Sequence, residues 1–64
     1  MDTKIRVIIA EDNADAQEIM VSLIKPLKTF EVIDIVDNGE SLLESNVDLR
    51  PNLIIADIHM PKLN

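Results

Sequence analysis

Apolar and polar positions fall in blocks whose periods change along the chain. Residues 5–10, Ile-Arg-Val-Ile-Ile-Ala, are β-branched and almost continuously apolar, the pattern of a parallel strand covered on both faces. Glu11, Asp12 and Asn13 end the run, and either Asp12 or Asn13 suits the cap of a following helix. That helix is expected over 14–28, with Ile19, Met20, Leu23, Ile24 and Leu27 as its buried face and Pro26 loosening its last turn. A second strand is expected over 31–36, a turn at Asn38-Gly39, and a short helix over 40–46 with Leu42 and Leu43 inward. Arg50-Pro51 breaks the chain again, and Leu53-Ile54-Ile55-Ala56 forms a third apolar strand that stops at Asp57. The order is β-α-β-α-β. Right-handed crossovers place it in the α/β class, as a doubly wound parallel sheet.

With 64 residues the chain forms one small domain, 1–64, and a core of that size gives only marginal stability. Such domains lean on disulfides, a metal or a partner chain, and the absence of Cys removes the first. It also fits a reducing compartment. Asp2 and the lack of an apolar leader argue against a secretory signal, so a cytoplasmic location is expected. The apolar runs are far shorter than the roughly 20 residues of a membrane helix. Twelve acidic residues against six scattered basic ones argue against nucleic acid as a partner.

Chemistry concentrates where apolar strands end. Glu11 and Asp12 follow the first strand and Asp57 the third, and ligands of open α/β sheets bind outside the carboxyl ends of strands. If those strands are neighbours, three carboxylates converge, and their mutual repulsion calls for a cation. Hard oxygen donors with room for water suit Mg²⁺. Capping is the competing explanation for the first pair, whereas Asp57, set between Ala56 and Ile58, needs a partner or a purpose. The side chain of His59 reads as an exposed loop residue, since no second His or Cys completes a site. Asp34, Asp37, Glu40, Glu44 and Asp48 read as a solvated surface, and Phe30 as packing at the entrance to the second strand.

Three stretches together resemble the receiver domain of two-component response regulators: Val-Ile-Ile-Ala-Glu-Asp-Asn at 7–13, Asp-Asn-Gly-Glu at 37–40, and Arg-Pro-Asn-Leu-Ile-Ile-Ala-Asp-Ile-His-Met-Pro at 50–61. The resemblance implies a flavodoxin-like sheet of strand order 2-1-3. It implies that Asp57 accepts a phosphoryl group from a sensor histidine kinase. Glu11 and Asp12, with Asp57 and the main-chain carbonyl of His59, would hold Mg²⁺, and Met60-Pro61 would form the turn after the phosphoacceptor. The function implied is signalling, not enzymatic turnover.

Against the family pattern the chain supplies strands one to three and helices one and two, the N-terminal half of the fold. The hydroxyl residue and lysine that contact the phosphoryl group have no counterpart in it, so phosphorylation is expected to be impaired. The outer edge of the third strand is expected to be bare, which favours a homodimer joined through that edge or through uncovered faces. Two alternatives stand beside the phosphoacceptor: a dimeric interaction module that is never phosphorylated, and a fragment of a longer response regulator. A phosphatase of the haloacid dehalogenase type is set aside, because the second Asp of that pattern falls at His59.

Overall fold

The computed structural model describes residues 4–56. It contains β1 (Ile5–Ala10), α1 (Ala14–Ile24), β2 (Phe30–Val36), α2 (Gly39–Leu49) and β3 (Leu53–Ala56). The strands form one parallel sheet in the order β2-β1-β3, the flavodoxin-like arrangement expected. Because β1 is central, the chain steps to one side through α1 and back across through α2. Right-handed crossovers in opposite directions put the two helices on opposite faces of the sheet.

That placement explains the apolar run in β1. Val7, Ile8, Ile9 and Ala10 are all completely buried. Successive side chains point to alternate faces, so Val7 and Ile9 lie beneath α1, and Ile8 and Ala10 beneath α2 with Val36 and Leu42. Burying each large aliphatic side chain is worth about 1.5–3 kcal/mol, so three of them supply much of what holds so small a domain.

β2 departs from simple alternation. Val32 pairs with Val7 but Asp34 with Ile8, leaving Ile33 as an extra residue in a bulge. The bulge re-sorts the side chains. Val32 and Ile35 face α1, whereas Ile33 packs on the α2-side core and Asp34 turns beneath α2. Asp34 is therefore not a solvated surface residue: it is half-buried, its Oδ2 accepting from the Ser45 hydroxyl and its Oδ1 from the Ile35 amide at 2.9 Å. Phe30 begins the strand, one residue earlier than expected, and lines a shallow groove with Val21, Ile24 and Val32.

The helices correct three expectations. First, α1 ends at Ile24 instead of reaching Lys28. Lys25 donates the last helical bond to the Val21 carbonyl at 2.8 Å, and Pro26 has no N–H with which to continue. Second, the inward arcs are displaced. Gln17, Met20, Val21 and Ile24 are half-buried, whereas Ile19 and Leu23 are 62% and 69% exposed and Leu27 lies beyond the helix end. On α2, Leu42 is buried but Leu43 points outward. Apolar residues span more than half of the α1 circumference, and only the part over β1 and β2 has sheet beneath it.

Third, Asn38-Gly39 is not a positive-φ turn. Asn38 is the N-cap of α2, its Oδ1 accepting from the Ser41 amide at 2.9 Å, and the buried Gly39 is already the first helical residue. This cap lets α2 run to Leu49, three residues beyond the expected end. The stop comes from Arg50, the only non-glycine residue at positive φ among the described residues, at 48°. The left-handed conformation there closes the helix as glycine commonly does, because Pro51 bars further helix. Arg50 holds the conformation despite its Cβ, which costs on the order of 1 kcal/mol. Arg50→Gly should therefore stabilise the fold by about 0.5–1 kcal/mol, read as a higher urea midpoint with an unchanged denaturant slope. A lower midpoint would contradict this account of the cap.

Candidate functional site

The site is built at the carboxyl end of the central strand. The amide of Glu11 extends the ladder beyond Ala10, donating to the Val36 carbonyl at 2.9 Å. Its side chain folds inward and is only 4% exposed. Oε2 accepts from the Asn13 amide at 3.2 Å, and the Glu11 carbonyl accepts from Gln17 Nε2. The residue is thus tied to its surroundings through amide, carbonyl and carboxylate alike.

Capping and acid chemistry are divided between neighbours. Asn13 takes the cap: its Oδ1 accepts from the Ala16 amide at 2.9 Å, and its carbonyl accepts from the Gln17 amide at 2.9 Å. Asp12 is exposed and takes no part in the cap, so its carboxylate stands at the surface beside the enclosed Glu11. Both lie beyond the strand end, next to the N-terminus of α1, whose dipole favours negative charge.

Gln17 is the residue that sequence reasoning missed. The signal was a long amide side chain at the third and fourth positions before Met20 and Val21, on the arc that faces the sheet. A polar residue there needs a partner, and it finds the Glu11 carbonyl.

β3 lies directly beside β1, with Ala56 in register with Ala10. The condition for three carboxylates to converge, adjacency of the first and third strands, is met. Asp57 and His59, the other expected site residues, lie outside the described residues, as does the Met60-Pro61 turn. Among the described residues no group of three or more His, Cys, Asp or Glu could hold a metal ion. Glu11 and Asp12 are two of the donors expected. Their oxygens are of the hard type that Mg²⁺ prefers, and one or two carboxylates are what that ion usually takes from a protein.

Comparison with known families agrees with this geometry. The family model of the response regulator receiver domain matches residues 7–64. The chain belongs to the response regulator receiver family. It is therefore a module of two-component signalling, a family whose members are signalling domains and generally bind Mg²⁺ at their phosphorylation site. Among curated relatives, a protein-glutamate methylesterase/protein-glutamine glutaminase of Caldanaerobacter subterraneus is 33% identical over 64 residues, covering all of this chain and 17% of the relative. The sensory transduction protein LytT of Oceanobacillus iheyensis is 36% identical over 61 residues, covering 95% of this chain and 25% of that protein. The chain thus spans a quarter or less of the length of these relatives. No solved structure matches the chain. Among the described residues of this receiver chain, no helix is long and apolar enough to cross a membrane.

The Asn13 side chain caps α1, whereas its bond to Glu11 comes from the backbone amide and survives substitution, so Asn13→Ala should cost about 1 kcal/mol of stability through the cap alone. Asn13→Asp should keep most of it, because an Asp oxygen can accept the same amide. Chemical denaturation of the two variants measures the difference, and equal losses would show that the cap is not what Asn13 contributes.

Proposed function

We propose that this receiver chain is a phosphoacceptor of a two-component system, with Asp57 as the acceptor and Glu11 and Asp12 as Mg²⁺ ligands. The observation that supports this most is the Ala10–Ala56 register. Asp57 is the next residue after Ala56 and Glu11 the next after Ala10, so both follow paired positions on adjacent parallel strands. The main-chain carbonyl of His59 completes the set that the family pattern assigns.

In this reading a carboxylate oxygen of Asp57 attacks phosphorus in line. The bond from phosphorus to the donor breaks as the new oxygen–phosphorus bond forms. Its electron pair leaves with the donor, a phosphohistidine of a sensor kinase or a small acyl phosphate, and the product is an aspartyl phosphate. Bound Mg²⁺ would supply neutralisation of the charge spread over the phosphoryl oxygens. Glu11 is held by Asn13 and the backbone, so its carboxylate needs little reorganisation to act as a ligand. Exposed Asp12 is free to turn toward an ion.

None of the 64 residues is assigned the hydroxyl and lysine that also contact the phosphoryl group in this family, so the adduct should form slowly on this chain by itself.

The test is intact-mass spectrometry after incubation with Mg²⁺ and acetyl phosphate. A single phosphoryl adduct is expected on the wild-type chain, lost in Asp57→Ala and on chelation with EDTA, and reduced at least tenfold in Asp12→Asn. No adduct on a folded chain after prolonged incubation would favour the interaction module that is never phosphorylated. An adduct that survives Asp57→Ala would overturn the assignment of the acceptor.

A further inference from the structure

Asp12 lies between two peptide planes, and the structure pins both. The plane ahead of it carries the Glu11 carbonyl, which accepts from Gln17 Nε2. The plane behind it carries the Asn13 amide, which donates to Glu11 Oε2 at 3.2 Å. Glu11 is fixed on its other side as well, because its amide donates to the Val36 carbonyl at 2.9 Å. Asp12 itself is exposed and its side chain stands outside these bonds, so its carboxylate takes its direction from the backbone on either side.

The two pins are not equivalent. The bond from Asn13 uses a carboxylate oxygen of Glu11, the group for which a cation would compete. The bond from Gln17 uses only a main-chain carbonyl, so it survives when Glu11 turns its carboxylate to an ion. Gln17 is placed for this by α1. It is half-buried on the inward arc, and its own amide makes the first helical bond, to the Asn13 carbonyl at 2.9 Å. A donor is required at this position. Glu would set an anion against a carbonyl, and an apolar side chain would deprive a part-buried carbonyl of this partner.

We propose that Gln17 is a positioning residue of the ion site: its side-chain amide fixes the Glu11–Asp12 peptide and so sets the angle at which the two carboxylates present oxygen to a cation. This role rests on the reading of Glu11 and Asp12 as Mg²⁺ ligands. With it comes a source of selectivity. Mg²⁺ demands near-octahedral geometry with oxygens at about 2.0–2.1 Å, whereas Ca²⁺ accepts roughly six to eight oxygens in looser arrangements. A pinned pair of carboxylates favours the smaller ion, and a loosened pair loses that preference.

The experiment is amide NMR on the whole chain, titrated separately with Mg²⁺ and Ca²⁺ and recorded also without metal. Gln17→Met keeps the length of the side chain and removes its donor. Its Mg²⁺ affinity at Glu11 and Asp12 should fall at least fivefold, against less than twofold for Ca²⁺. Without metal, the heteronuclear NOE of the Asp12 amide should drop below its wild-type value. Ile24→Ala, on the same inward arc of α1, controls for stability alone: it should lower the urea midpoint and leave both affinities within twofold. If Gln17→Met does not fold, Gln17→Asn, one methylene shorter, carries the same comparison. Wild-type binding matched by the Gln17 variant would overturn the role of Gln17 and leave the ion-site reading standing. So would an equal loss in Ile24→Ala. A loss shared equally by the two ions would overturn the selectivity. A wild-type chain that binds neither ion at Glu11 and Asp12 would overturn the ion-site reading, and the role of Gln17 with it.

Discussion

Everything in this fold depends on hiding one strand. β1 is apolar on both faces, and four of its residues in a row have no exposure at all. A strand of that kind cannot sit at an edge or on a one-sided sheet, so it needs a neighbour on each side and a helix on each face. The element order supplies these in the cheapest way, with each crossover carrying a helix over a different face. Placing Glu11 and Asp12 at the end of the best-held strand gives them the most rigid support that so small a domain can offer.

The same constraint explains what is less well held. α1 and α2 lie over β1 and β2, and the apolar residues turned away from those strands remain exposed: Ile19 and Leu23 on one helix, Leu43 and Val47 on the other. β3 is paired on one side only among the described residues. Among the described residues the core is tight where β1 is and thin toward β3.

The order of elements and the strand positions were legible because β1 and β3 are short apolar runs bounded by polar residues, signals that survive without tertiary context. The strand order 2-1-3 came from the family resemblance, and the sheet bears it out. Helix ends were less legible. Asn38 could serve as a turn or a cap, and only the bond to the Ser41 amide decides between them. The bulge at Ile33 was hidden, because Val32-Ile33-Asp34-Ile35 fits plain alternation until its register against β1 is known. Inward arcs were misjudged where apolar residues outnumber the positions that face the sheet. At the site, Glu11 and Asp12 were visible as acids after a strand. The enclosure of Glu11 and the part played by Gln17 depend on α1 lying back over β1, which no local pattern encodes.

The central claim is that the acidic end of β1 and the residue after β3 form one Mg²⁺ site. The most direct test is a Mg²⁺ titration followed by amide NMR on the wild-type chain and on Asp57→Ala. The account predicts saturable shifts at Glu11, Asp12 and Asp57 that share one midpoint, with the Glu11 and Asp12 shifts weakened at least tenfold in affinity by Asp57→Ala. Shifts at Glu11 and Asp12 that are unaltered by the substitution, or no saturable shifts at all, would contradict it.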